Sequence, residues 1–158
     1  MNIKKLLVGL FLVLLFAGTV RAEFVWGGGE SYWNNGSAWV GGRAPSRSSG
    51  ENVTISAGVC SYDASSVGGD LEMSASSTLT IDGTGTWTQS NGGSWGTLKG
   101  RLVVAGSGTF DTGAMAFFRS YKTVTVRENG TILFKCKAGV ESGDAHLYLE
   151  GGTIVCSV

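Results

Sequence analysis

The heptapeptide GSGTFDT, residues 106–112, contains a Gly-Thr pair followed by a large apolar residue. The same order recurs at a regular interval at three other places: GTGTWT at 83–88, ENGTIL at 128–133 and EGGTIV at 150–155. The threonines of the four pairs lie 23, 22 and 22 residues apart: Thr86, Thr109, Thr131 and Thr153. A fixed interval of this size is typical of repeat architectures, in which each repeat forms one structural unit.

A second feature keeps the same period. Each Gly-Thr pair is preceded by an apolar-x-apolar triplet: LTI at 79–81, LVV at 102–104, VTV at 124–126 and LYL at 147–149. Alternation with period two predicts a half-buried β-strand. The polar, Gly-rich segments between triplet and Gly-Thr pair are typical of sharp turns.

Coils of about 22 residues, each strand lying beside its copy one coil later, form a parallel solenoid. We therefore predict an all-β fold, a right-handed parallel β-solenoid (β-helix) of four to five coils. Like residues stack in such a fold, and the predicted interior stack is Trp87, Phe110, Ile132 and Ile154. An antiparallel sandwich with regular turns is the alternative. The solenoid is favoured because residue identity repeats as well as hydrophobicity.

Composition agrees with an all-β chain. Gly occurs 26 times and Pro once among 158 residues, and Ser and Thr are frequent. Glycine and β-branched residues disfavour helices, and β-branched residues suit short strands joined by turns. The only helix-compatible patch is GAMAFF at 113–118.

The N-terminus predicts a secretory signal peptide at residues 1–22. Lys4 and Lys5 precede an apolar run at 6–18, and Val20 and Ala22 occupy the small-residue positions of a cleavage site after Ala22. An uncleaved anchor is the alternative, but the run is short for a membrane span. We expect a secreted protein, extracellular or periplasmic, with no membrane span after signal removal.

Charge limits the partners of the mature chain. Loss of Lys4, Lys5 and Arg21 leaves 9 basic residues of 12 against 12 acidic ones, a net charge of about −3. Because no basic stripe is present, we expect no nucleic-acid partner.

Residues 23–50 form the predicted N-terminal cap, and residues 51–158 form the predicted solenoid coils. The cap region carries four clustered aromatic residues: Trp26, Tyr32, Trp33 and Trp39. They could stack on sugars as a weak ligand-binding platform. The favoured interpretation is that they bury against the first coil, because a solenoid end must be covered.

The C-terminal sequence TIVCSV, residues 153–158, stops in mid-strand by this register, which predicts an open edge. Either this edge self-associates with another chain, or the sequence is a fragment of a longer solenoid. A polysaccharide or cell-surface partner is the other expectation.

The segment between Trp26 and Ile55 carries a wider pattern: Trp26, Trp33-Asn34-Asn35, Trp39, Gly42-x-x-Pro45 and Glu51-Asn52-Val53-Thr54-Ile55, followed by the Gly-Thr coils. It resembles secreted bacterial surface proteins with autotransporter-associated β-strand repeats, and its start is similar to the G8 domain. The resemblance implies a secreted parallel β-helix of adhesive or extracellular-matrix type, and it carries over no catalytic residues.

No group of residues predicts a catalytic centre, a cofactor or a metal site. The acidic residues that could serve glycoside cleavage fall on turns or outward positions: Asp63, Asp70, Asp82, Asp111, Asp144 and Glu150. Arg127 and Glu150 occupy equivalent outward positions on adjacent coils, so we expect a surface ion pair. The single histidine, His146, is expected at the surface.

The three cysteines predict no disulfide. In the solenoid register Phe134, rather than Cys136, lies opposite Cys156. This offset separates the two Cα atoms by about 8 Å, beyond the usual limit of roughly 7 Å. We expect Cys136 and Cys156 to be small buried thiols, and Cys60 has no evident partner.

The leading functional hypothesis is a secreted, non-catalytic structural or adhesive solenoid. The alternative is a carbohydrate-binding module or a small polysaccharide lyase or hydrolase that uses an outer strand face or the Trp-rich cap.

Overall fold

The computed structural model describes residues 23–45, 52–62, 75–89, 95–113, 117–140 and 145–157. The predicted signal peptide, Asp63, Asp70, Asp144 and part of the predicted cap lie outside these ranges. Apart from one short 3₁₀ helix, Gly36–Ala38, the regular secondary structure of the described residues is all β-strand. The strands are β1 Glu23–Val25, β2 Glu30–Tyr32, β3 Asn52–Ile55, β4 Val59–Tyr62, β5 Thr78–Ile81, β6 Thr86–Gln89, β7 Trp95–Leu98, β8 Arg101–Val104, β9 Thr109–Asp111, β10 Phe117–Ser120, β11 Val124–Arg127, β12 Thr131–Phe134, β13 Lys137–Val140, β14 Leu147–Glu150 and β15 Thr153–Cys156.

The strands form three sheets in which all named strands pair in parallel. The first sheet has the order β1-β3-β5-β8-β11-β14, the second β2-β4-β6-β9-β12-β15, and the third β7-β10-β13. Successive strands along the chain visit the sheets in turn, so the chain winds as a β-solenoid, which confirms the predicted fold class. Three turns carry a strand in all three sheets within the described residues, and the turns on either side of them carry two.

The register follows the sequence repeat. Thr109 of β9 lies beside Thr86 of β6 and Thr131 of β12, and the ladder continues to Thr153 of β15. One position further along, Phe110 lies between Trp87 and Ile132, as predicted. The rings of Trp87 and Phe110 are 4.5 Å apart at their centroids and stack nearly parallel, with an angle of 5° between their planes. Cys60 of β4 extends this stack below Trp87.

The first sheet supplies the facing wall of the core. The inward residues of its inner strands are buried: Val53, Ile55, Leu79, Ile81, Leu102, Val104, Val124 and Val126. Their outward neighbours alternate with them as intermediate or exposed positions along β3, β5 and β8. Because successive residues of a strand point to opposite faces, the alternating residues in the sequence are alternately buried in the apolar interior and placed on the outer face.

The corner between the first and second sheets explains the recurring Gly-Thr pair. At the coil containing Gly108, the Ala105 N–H donates to the Ile81 carbonyl of the preceding coil at 2.9 Å, and the Gly108 N–H closes the turn onto Ala105. A Cβ atom on Gly108 would lie only 2.6 Å from the Ile81 oxygen. Glycine is therefore required here because successive corners stack backbone upon backbone.

The third sheet was not anticipated. Its strands do not follow the 22-residue spacing: β10 and β13 lack a Gly-Thr pair, and the Gly96-Thr97 pair of β7 falls between two of the regularly spaced pairs. Strand β10 begins within the patch that composition marks as helix-compatible. Phe117 and Phe118 of that patch belong to β10, which pairs with β7 and β13. The buried Phe118 ring lies 5.3 Å from Phe110 and 5.7 Å from Phe134. Packing against this core decides the strand, overriding the weak local preference.

The N-terminal segment both adds to the solenoid and covers it. Strands β1 and β2 pair in parallel with β3 and β4, so the first part of the predicted cap is itself a partial turn. The following loop folds back over β1, where Trp26 bridges Trp39 in antiparallel fashion and the Val40 N–H donates to the Val25 carbonyl. The aromatic segment therefore closes this edge of the first sheet.

Candidate functional site

The aromatic cluster at the N-terminal end is organised around Trp39. The ring of Trp39 meets Trp26 edge-on at 4.9 Å and Trp33 edge-on at 5.0 Å. Its indole N–H donates to the Trp33 carbonyl at 2.8 Å, and the Trp33 indole donates to the Pro45 carbonyl at 3.3 Å. These contacts fix the three indoles as one packed unit.

This packing agrees with the favoured interpretation of the cluster as a cover and gives no support to the sugar-platform alternative. Trp26, Trp33 and Trp39 are all buried, so their faces are not accessible to the face of a pyranose. Only Tyr32 of the predicted set is exposed, at 53%. A single exposed ring does not form a stacking platform, and the cluster instead acts as the cover of the first coil.

The outer face of the first sheet carries a groove that sequence reasoning did not locate. The groove has a volume of about 290 Å³ and lies along the outer side of β8 and β11, lined by Arg101, Leu102, Val103, Thr123, Thr125 and Arg127. Outward positions alternate along each strand, so both arginines and both threonines fall on the same face. Arg101 stands at the start of β8 and Arg127 at the end of β11, which places a cation at each end of the groove.

One wall of the groove is fixed by an ion pair. The Arg127 Nε donates to the Glu150 Oε2 of the next coil at 2.9 Å, which confirms the predicted pair. Both side chains are about half exposed, so the pair contributes little stability, roughly 0–1 kcal/mol. Its effect is to hold the Arg127 guanidinium at the groove.

The described acidic residues do not converge on a catalytic pair. Asp111 of β9 lies in the second sheet, where the Lys135 Nζ donates to its Oδ2 at 2.8 Å. Glu150 lies in the first sheet, and Asp82 follows β5 at a corner. Asp111 and Glu150 are each engaged by a cation on an adjacent coil, which is a structural arrangement rather than an acid–base one.

The three cysteines are free thiols, as expected. Phe134 does lie opposite Cys156, which confirms the predicted register. Cys60 and Cys136 are buried, but Cys156 is exposed, which corrects the expectation that both C-terminal thiols are buried. The reason is that no described strand covers β15 on its far side.

Burial raises the pKa of the Cys60 thiol well above its ordinary value. The folded protein thus holds the thiol proton more tightly than the unfolded chain does. This difference stabilises the folded state at pH values below the pKa of the unfolded chain, and the stabilisation is lost as the pH rises above that pKa. Above about pH 8.5 we expect the free energy of unfolding to fall by about 1.4 kcal/mol more per pH unit in the wild type than in Cys60→Ala. Chemical denaturation between pH 7 and 10 measures both slopes. Parallel curves would show that Cys60 ionises equally in both states.

The C-terminal end of the solenoid differs from every other level of the core. All four residues of β14 are exposed, and so are three of the four in β15. Leu149 is 56% exposed, whereas Val126, its partner one coil earlier, is fully buried. At this end, side chains at positions that are buried in the preceding coils are therefore exposed to solvent.

Further features lie within the same described ranges. No group of three or more His, Cys, Asp or Glu side chains is placed there to hold a metal ion. No helix among these residues is long and apolar enough to cross a membrane. His146 is exposed, as expected, with its ring 5.9 Å from that of Tyr148.

The fold defines the chain as a parallel β-solenoid protein. Comparison with protein-family models, with curated proteins and with solved structures finds no match to this chain.

Proposed function

We propose that this chain is a secreted, non-catalytic scaffold of structural or adhesive type. The observation that carries the proposal is the unbroken ladder: two parallel sheets of six strands each, aligned in register around one apolar core. Parallel ladders of stacked coils give an elongated body whose outer faces present side chains at regular spacing. Such a body suits display and attachment, and the resemblance to secreted surface proteins agrees with it.

Export through a signal peptide is part of this proposal. Glu23, the residue that follows the proposed cleavage site, belongs to strand β1. Its carboxylate accepts a hydrogen bond from the Thr54 hydroxyl at 2.8 Å, so the mature chain would enter the fold at its first residue. N-terminal sequencing of the exported protein tests this, and a mature chain that begins elsewhere would overturn it.

The scaffold proposal is tested by assaying the purified protein on a panel of neutral and acidic polysaccharides. We expect no release of reducing ends and no unsaturated products, together with retention of the protein on the surface of the producing cell or its matrix. Product formation that depends on the protein would overturn the non-catalytic proposal.

A second candidate function, carbohydrate binding by an outer strand face, is favoured by the groove along β8 and β11. Guanidinium groups at Arg101 and Arg127 and hydroxyl groups at Thr123 and Thr125 offer hydrogen bonds along one channel. An arginine can bind a carboxylate through two parallel hydrogen bonds. These groups suit an acidic oligosaccharide lying across the outer face of the sheet.

If the groove binds such a sugar, Arg101→Ala is expected to weaken binding about tenfold or more, the loss of one charge-assisted hydrogen bond. The matched control is Lys135→Ala, which removes an exposed cation just after β12 of the second sheet, away from the groove. Calorimetric titration with oligogalacturonate, and with a neutral glucose oligomer for comparison, measures the change. Equal effects of the two substitutions would assign the binding to net charge rather than to the groove.

A further inference from the structure

We infer that the C-terminal ends of two copies of this chain join edge to edge, forming a closed dimer with a two-fold axis at the corner formed by Gly151 and Gly152. The inference deepens the scaffold function proposed above and names its partner as a second copy. It rests on the exposed end, on the closure of the opposite edge of the first sheet and on the self-complementarity of β14 and β15.

The exposed end presents apolar side chains that the fold elsewhere buries. Leu147 and Leu149 of β14 occupy the inward positions filled by Val124 and Val126 one coil earlier. The two valines are at most 4% exposed, whereas Leu147 is 45% exposed. Strands β14 and β15 each pair on one side only within the described residues. An apolar layer flanked by two unpaired strand edges favours association with another chain.

The opposite end of the first sheet is closed by its own chain. The Gly27 N–H donates to the Ala38 carbonyl at 2.7 Å, and the Val40 N–H donates to the Val25 carbonyl at 2.9 Å. The ring of Phe24 in β1 is covered by Trp39 and by the Arg43 guanidinium, which lies 4.5 Å from the ring centroid. A head-to-tail contact would have to place β14 against this occupied edge. A contact between two open ends avoids this occupied edge, and it is isologous and closed.

The two-fold axis follows from the corner geometry. A copy turned over to face the open end runs its strands in the opposite direction, so the pairing across the contact is antiparallel. A two-fold axis through the corner between the first and second sheets pairs β14 of one copy with β15 of the other. It also pairs β15 of the first copy with β14 of the second, so both open edges are used. The predicted residue pairs across the contact are Leu147 with Cys156, Tyr148 with Val155, Leu149 with Ile154, and Glu150 with Thr153.

These pairs match in side-chain direction. Directly opposite residues of an antiparallel pair project to the same side of the sheet. Leu149 aligns with the buried Val126 and Ile154 with the buried Ile132, so both project inward. Tyr148 and Val155 project outward together. Had the strands been offset by one residue, every apolar inward side chain would have faced an outward one.

Charge also permits the contact between copies. Glu150 is the one charged residue in β14 and β15, and Arg127 of its own chain holds its carboxylate. Across the two-fold axis Glu150 meets Thr153, so the dimer brings no like charges together. A neutral, apolar, self-matching edge fits a second copy better than it fits a charged partner.

Sedimentation velocity over a range of concentrations tests the dimer, with Leu149→Lys as the variant and Val40→Lys as the control. Both side chains are more than half exposed, and Val40 lies at the covered end. We expect the wild type and Val40→Lys to double in mass with rising concentration, and Leu149→Lys to remain a monomer with an unchanged circular dichroism spectrum. A wild-type monomer at all concentrations, or open-ended polymers, would overturn the inference.

Disulfide trapping tests the pairing itself. In a Cys156→Ser background, the double variant Tyr148→Cys/Val155→Cys is expected to form a covalent dimer on mild oxidation, because opposite Cβ atoms in an antiparallel pair lie about 4.5–5.5 Å apart. Within one chain these two positions lie on different sheets. Neither single variant should cross-link, since each position meets a different residue across the axis. Cross-linking by Tyr148→Cys alone would overturn the proposed axis.

The two proposals fail separately. A protein that stays monomeric and inactive on polysaccharides overturns the dimer and leaves the scaffold function standing. A protein that dimerises as described but degrades a polysaccharide overturns the non-catalytic scaffold and leaves the dimer standing.

Discussion

Phe110→Ala is expected to lower the free energy of unfolding by about 3–5 kcal/mol, as large-to-small substitutions of buried aromatic residues do. Phe110 is fully buried and lies between Trp87 and Ile132 in the ladder. Its ring stacks on Trp87 and meets Phe118 edge-on at 5.3 Å, so the substitution removes contacts with two sheets. The stacked neighbours belong to a regular ladder and cannot collapse freely into the space.

The matched control is Thr109→Val on the same strand. Thr109 projects outward, and valine preserves its shape and β-branching, so we expect a change within about 0.5 kcal/mol. Equilibrium denaturation in urea, with the slope compared between variants, measures both. Similar small losses for the two variants would mean that Phe110 does not lie in a tightly packed core.

The second large effect is expected from Gly108→Ala. The new Cβ would lie 2.6 Å from the Ile81 oxygen and 2.9 Å from the Ala105 oxygen. Neither carbonyl moves easily, because the Ile81 oxygen accepts from the Ala105 N–H and the Ala105 oxygen accepts from Gly108 itself. We expect a loss of about 1–3 kcal/mol or more from this overpacking.

Gly28→Ala provides the comparison for Gly108→Ala. An added Cβ on Gly28 meets nothing within 4 Å, but the residue has a φ of 86°, so only backbone strain is introduced. This strain costs about 1–2 kcal/mol. Thermal and urea denaturation of the two variants rank the effects. A smaller loss for Gly108→Ala than for Gly28→Ala would show that the stacked corners have room for a methyl group.

The solenoid could be predicted because its physical requirement is visible in residue identity. Stacked corners need glycine and stacked interior positions need large apolar residues, so Gly108 and Phe110 each have counterparts one coil away. The same logic predicted the ion pair between Arg127 and Glu150, since a parallel ladder places equivalent positions side by side. Strand register, core and corner therefore follow from one period.

The third sheet could not be predicted in the same way. Its strands have no shared motif, and β10 begins in a segment whose local preference is mixed. What makes Phe118 a strand residue is its contact with Phe110 and Phe134, and both contacts depend on the fold being closed. The pair between Asp111 and Lys135 was missed for a related reason. Asp111 lies opposite Leu133, and Lys135 reaches it from two positions further along.

The same difference between sequence patterns and contacts made in the folded chain applies to the candidate sites. The four cap aromatics were identified by composition, but composition does not tell an exposed ring from a buried one. Trp39 is buried because the loop that carries it returns to bond with β1. The groove between Arg101 and Arg127 was missed because its cations stand on neighbouring coils at opposite ends of their strands. Residues of this kind of site come together only when neighbouring coils pair in the folded protein.

The direction of the ladder hydrogen bonds has a mechanical consequence. Strand order in the first sheet rises from β1 to β14, so these two strands lie at opposite ends of the described solenoid. Tension applied between them would act along the inter-strand bonds, and we expect it to remove one winding at a time. Each winding of about 22 residues releases roughly 75 Å of extended chain. We therefore expect the solenoid to lengthen in steps under load, with most of its body still folded at each step.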